Sequence, residues 1–81
     1  MFWVQGNLTN REQEIYKYLL EGLSYADIGH LLNLQKPTVV SHIMSVYLKK
    51  MVANRNELMA QRIHELEDEL KEVKERVNAS N

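Results

Sequence analysis

Three histidines are the side chains best suited to acid–base or metal chemistry near neutral pH, and they stand at positions 30, 42 and 64. They fall on different expected helices, without metal-ligand spacing. His64-Glu65 lacks the second histidine that a zinc-binding His-Glu-x-x-His helix needs. The chain has no cysteine, which removes a thiolate ligand, a disulfide framework and a sulfur nucleophile. There is no glycine-rich phosphate loop and no serine in a strand-to-helix elbow. The carboxylates of the C-terminal third alternate with Lys and Arg, which describes a solvated helix face rather than a paired acid and base. The expectation is a non-enzyme without metal or cofactor.

The remaining chemistry is charge. The 81 residues carry a formal charge of −1, and the charge is unevenly spread. Residues 1–55 hold six Lys/Arg against four Asp/Glu, and residues 56–81 hold four against seven. No carboxylate occurs from Ile28 to Asn56, a stretch that contains Lys36, Lys49, Lys50 and Arg55. A basic segment followed by an acidic one predicts two tasks: contact with a polyanion, then self-pairing or solvation.

Helices must position these groups, because apolar residues recur at three- and four-residue steps and strand signals are absent. The fold class is all-α. Thr9-x-x-Glu12 is a capping box that starts helix one, with Ile15, Tyr16, Tyr18 and Leu19 facing inward and Gly22 at the stop. Ser24 caps helix two, with Asp27 three residues on. Its apolar face is Ala26, Ile28, Leu31 and Leu32, Asn33 is its left-handed stop, and Leu34 plugs the following turn. Helix three runs from Lys36-Pro37 to about Lys50, proline being tolerated in a first turn. Two helices joined by so short a turn make a helix-turn-helix. Val39, Ile43, Val46 and Lys50 share the inward stripe of helix three. Thr38, Ser41, His42, Ser45 and Lys49 form a polar arc, and Pro37, Val40, Met44, Leu48 and Met51 form a second apolar arc between the two.

Asn54 and Glu57 open helix four. Val52, Asn56, Met59, Ile63, Leu66, Leu70, Val73 and Val77 step alternately by four and three, a repeat of about 3.5 residues that predicts the seam of a dimeric coiled coil. In a parallel pair Arg62 faces Glu67 of the second copy and Glu69 faces Lys74, which favours that orientation. The expected organisation is an apolar arm over 1–7, a helix-turn-helix domain over 8–53, an extended dimerising helix over 54–78 and a disordered end over 79–81.

Five blocks in order carry a family likeness: Leu8-Thr9-Asn10-Arg11-Glu12-Gln13-Glu14-Ile15, Glu21-Gly22-Leu23-Ser24-Tyr25-Ala26-Asp27-Ile28, Thr38-Val39-Val40-Ser41-His42-Ile43, Val46-Tyr47-Leu48-Lys49 and Asn54-Arg55-Asn56-Glu57-Leu58. Together they resemble the LuxR/GerE-type helix-turn-helix of bacterial transcription regulators over about residues 8–58. The first two blocks alone are also similar to region four of sigma factors. The likeness implies that helix three enters the major groove and helix four makes a dimer contact. Three positions depart from the pattern: the usual Lys after Thr38-Val39 is Val40, an expected Leu is Lys50, and the Gly after it is Met51. Loss of that glycine predicts that helices three and four merge or reorient.

The functional expectation is a small homodimeric regulator of double-stranded DNA, with no sensory domain, in bacterial or phage cytoplasm. Lys36, Lys49 and Arg55 are expected on phosphates, and Thr38, Ser41, His42 and Ser45 on phosphates or bases. Val40 and Met44 are placed in the same DNA-binding set. Apolar contact with thymine methyl groups is open to them but does not replace Arg, Lys, Asn or Gln, and a second apolar arc more naturally packs against helix four, the Phe2-Trp3 arm or a foreign partner. Met59, Ile63, Leu66, Leu70, Val73 and Val77 are expected to dimerise. The alternative is a protein-binding module that captures a LuxR-type regulator or another partner through Val40, Met44, Leu48 and the arm Phe2-Trp3-Val4. No signal peptide or membrane span is expected.

Overall fold

The structure, a computed structural model, describes residues 7–80. Four helices follow in order: α1 (Asn10–Leu20), α2 (Tyr25–Leu32), α3 (Lys36–Lys50) and α4 (Arg55–Ser80). No strand occurs among the described residues. The arm Phe2-Trp3-Val4 lies outside them, and so does Asn81. The end expected to be disordered from 79 is helical as far as Ser80.

Helices α1, α2 and α4 start where a polar side chain satisfies backbone N–H groups that lack an intrahelical partner, whereas α3 follows Gln35 without a side-chain cap and carries Pro37 in its first turn. Thr9 Oγ1 accepts from the Glu12 amide at 3.2 Å, and Glu12 Oε1 accepts from the Thr9 amide at 2.9 Å. Ser24 Oγ accepts from the Asp27 amide at 3.1 Å. Asn54 Oδ1 accepts from the Glu57 amide at 2.9 Å, but Glu57 reaches back one residue further than a capping box requires, to the Ala53 amide at 2.7 Å.

Three helices end by one device. Gly22, Asn33 and Met51 take positive φ of 85°, 56° and 60°. The next amide in each case bonds back over a turn: Leu23 to the Tyr18 carbonyl at 3.1 Å, Leu34 to Gly29 at 2.8 Å, Val52 to Tyr47 at 2.9 Å. Leu23, Leu34 and Val52 then pack on the core. This is the Schellman arrangement with its apolar follower. Met51 accordingly does not merge helices three and four. It adopts the left-handed conformation the glycine would have taken, because the bonds from the Met51 and Val52 amides and the burial of Val52 outweigh the steric cost of a Cβ there.

The core joins all four helices through Ile15, Leu19, Ile28, Val39, Ile43, Val46, Tyr47 and Leu58. Leu31 is 59% exposed and Ala26 is exposed as well, so the buried face of α2 is narrower than its apolar periodicity predicts. The physical reason is Gly29. It is buried, and a Cβ there would stand 2.9 Å from the Leu34 carbonyl oxygen and 3.5 Å from Val39, so α2 meets α3 by close backbone approach at Gly29. Val52 also leaves the expected seam, since it lies before α4 and faces the core.

Candidate nucleic-acid interface

Along α3 the residues expected to meet DNA divide into two groups. Lys36, Thr38, Ser41 and Met44 are exposed, whereas Val40, His42, Ser45 and Lys49 are half-buried. Lys49 turns to α1: its Nζ lies 2.7 Å from Glu12 Oε1, the oxygen that also closes the α1 capping box. Glu12 is buried. That burial works against its charge, but the Lys49 hydrogen bond, the Thr9 amide, the Lys49 charge and the Thr9 hydroxyl together outweigh it and hold the carboxyl below its ordinary value of 4.5.

Arg55, half-buried at the start of α4, also has internal partners. Its Nη2 donates to the Leu23 carbonyl at 2.7 Å, and its guanidinium lies 5.6 Å from the centre of the Tyr25 ring. Beneath it, burial and the neighbouring Tyr25 phenol push the Tyr47 hydroxyl up to about 12. Lys50, read as inward, lies half-buried with its ammonium 4.7 Å above the Tyr16 ring, while its carbonyl accepts from Gln61 Nε2 at 2.8 Å. The charge meets an aromatic face, which is one way a half-buried lysine occupies an apolar stripe.

The second apolar arc is open. Met44 is 58% exposed, Leu48 62% and Met51 66%, and Val40 is half-buried at its edge. An open concavity beside Met44 is lined by Tyr25, Tyr47 and the start of α4 at Ala53, Asn54, Arg55 and Asn56.

A family comparison matches residues 6–61 to the model described as bacterial regulatory proteins, luxR family. The chain belongs to the luxR family. No curated protein and no solved structure matches it. Within the luxR frame, α2, the turn at Asn33 and α3 are the helix-turn-helix, and the family's class is the DNA-binding transcription regulators rather than enzymes. No group of His, Asp or Glu suited to a metal occurs among the described residues. No helix there is long and apolar enough to cross a membrane.

Helix α4 continues beyond the matched segment, as far as Ser80. Ile63, Leu66, Leu70, Val73 and Val77 are 46–66% exposed along it, and Met59 is half-buried. Leu20 of α1 joins Met59, Ile63 and Leu66 in an apolar groove edged by Arg62, so the stripe begins on the helical head. Arg62 pairs along its own helix with Glu65 at 3.2 Å and Glu69 at 4.0 Å.

Sequence reasoning missed the Glu12–Lys49 pair, the close approach at Gly29 and the core positions of Tyr47 and Leu58. The first spans 37 residues and leaves no periodic trace. A signal for the second existed: a small residue in mid-helix, where glycine weakens a helix unless its neighbour needs the space.

Proposed function

We propose that this luxR-family chain is a homodimeric transcription regulator of the cytoplasm, with α3 in the major groove of double-stranded DNA and α4 pairing two copies. The observation that carries the reading is the α2–turn–α3 unit, whose second helix keeps its outward side uncovered. The α4 stripe supports the dimer, since a lone rod would leave five apolar side chains in water.

The exposed cation at the head of α3 is Lys36; Lys49 and Arg55 hold internal partners. One phosphate contact per protomer gives a log–log salt slope of about −2 for a dimer. Release of Lys49 and Arg55 onto DNA would steepen it to about −5. Fluorescence anisotropy on duplex fragments between about 50 and 200 mM salt measures the slope, with sedimentation run alongside. A folded dimer that binds no duplex at the low-salt end removes the reading.

The open arc of Met44, Leu48 and Met51 favours a second reading, a module that captures another protein on a helix-turn-helix frame. There, Met44→Glu abolishes partner capture in a pull-down while Lys49→Ala leaves it intact. The opposite pattern removes it.

A further inference from the structure

The outward side of α3 lacks the groups that usually read purines. Between Pro37 and Leu48 there is no Arg, Lys, Asn or Gln. Guanine is read mainly by Arg or Lys and adenine by Asn or Gln, whereas thymine alone presents a methyl group in the major groove. The exposed side chains of α3 along this stretch are Pro37, Thr38, Ser41, Met44 and Leu48, with Val40 half-buried at the edge of the apolar arc. His42, Ser45 and Lys49 are half-buried, as Val40 is, and Lys49 is held by Glu12.

We propose that α3 selects thymine-rich duplex by apolar contact with C5-methyl groups, Val40 and Met44 being the specificity-determining residues. The inference rests on the DNA-binding reading and deepens it. Two residues one helical turn apart are separated by about 6 Å along the axis, close to two base-pair steps at about 3.4 Å each. Val40 and Met44 therefore meet methyl groups about two steps apart. Ser41 suits a base edge or a phosphate, since a hydroxyl both donates and accepts. Lys36, at the start of the same helix, supplies a positive charge for the backbone.

The test uses the full chain and a random-sequence duplex library at about 50 mM salt, within the range where electrostatic binding is strong. Enriched duplexes are then remade with uracil in place of thymine, which deletes the C5-methyl group and keeps the base pair. Enrichment in thymine is expected, with about fourfold weaker binding for each contacted methyl removed, the equivalent of about 0.8 kcal/mol. Met44→Ala, at a side chain 58% exposed and therefore safe for folding, should reduce the uracil penalty at one position to less than twofold and leave the others. Enrichment of sites without thymine dependence, or equal binding of uracil duplex, overturns this inference and leaves the DNA reading standing. Failure of the folded chain to enrich any duplex removes both and gives the arc to a protein partner.

Discussion

Replacing Lys49 with methionine separates a structural role from a phosphate contact. In the folded chain Glu12 retains 8% of its side-chain exposure and Lys49 29%, and their oxygen and nitrogen are 2.7 Å apart. An exposed pair contributes at most about 1 kcal/mol. Loss of one partner from a fully buried pair costs about 3–5 kcal/mol. Lys49 is only partly shielded, and Glu12 keeps the Thr9 amide, so an intermediate cost of about 2 kcal/mol is expected. For a domain of this size that lowers Tm by roughly 10 °C. Circular dichroism at 222 nm, at fixed protomer concentration because pairing shifts apparent stability, reads the change. The pH dependence carries the same signature. The folded-state pKa of Glu12 is depressed, so its stabilisation is present above the ordinary value of 4.5 and is lost as pH falls through the folded value. Lys49→Met should therefore lose stability at neutral pH and converge on the parent chain in acid. The DNA salt slope should stay unchanged, whereas loss of one phosphate contact per protomer would make the dimer's slope shallower by about 2. A Tm within two or three degrees of the parent, together with a shallower slope, would refute the assignment of Lys49 to Glu12.

Met51→Gly relieves a left-handed methionine at φ 60° and should stabilise the chain by about 1 kcal/mol in urea titration; a loss would mean that the side chain contributes more than its exposure implies. Gly29→Ala places a Cβ 2.9 Å from the Leu34 carbonyl and should cost about 1–3 kcal/mol despite alanine's better helix propensity; an unchanged midpoint would show that the α2–α3 contact has slack. Leu70→Asp, at a position 66% exposed in the protomer, should convert a dimer to monomer in sedimentation while leaving the head's helicity intact; if the sedimentation coefficient does not move, the stripe is not the pairing surface.

Helix existence and limits were legible because their determinants are local. A cap needs a polar side chain three residues from an amide, and a stop needs a residue that tolerates positive φ. Thr9, Ser24, Asn54, Gly22 and Asn33 all stand where those rules require. The helix-turn-helix and the family likeness follow from the same short-range spacing. Met51 shows the limit of such rules. Its side chain argues against a left-handed stop, and the stop forms because Val52 must reach the core. The candidate site was legible only as residue types. Lys49 and Arg55 read as free cations in sequence, but Glu12 and the Leu23 carbonyl, on segments brought alongside by folding, receive them. Gly29 likewise acquires its purpose from a carbonyl in the next turn. Sequence by itself determined where each helix begins and which stripe of it is apolar, since both depend on neighbours within one or two turns. Tertiary packing alone decided which charges stay available to a partner and which apolar arcs stay uncovered, because ion pairing and burial depend on distances between segments remote in the chain.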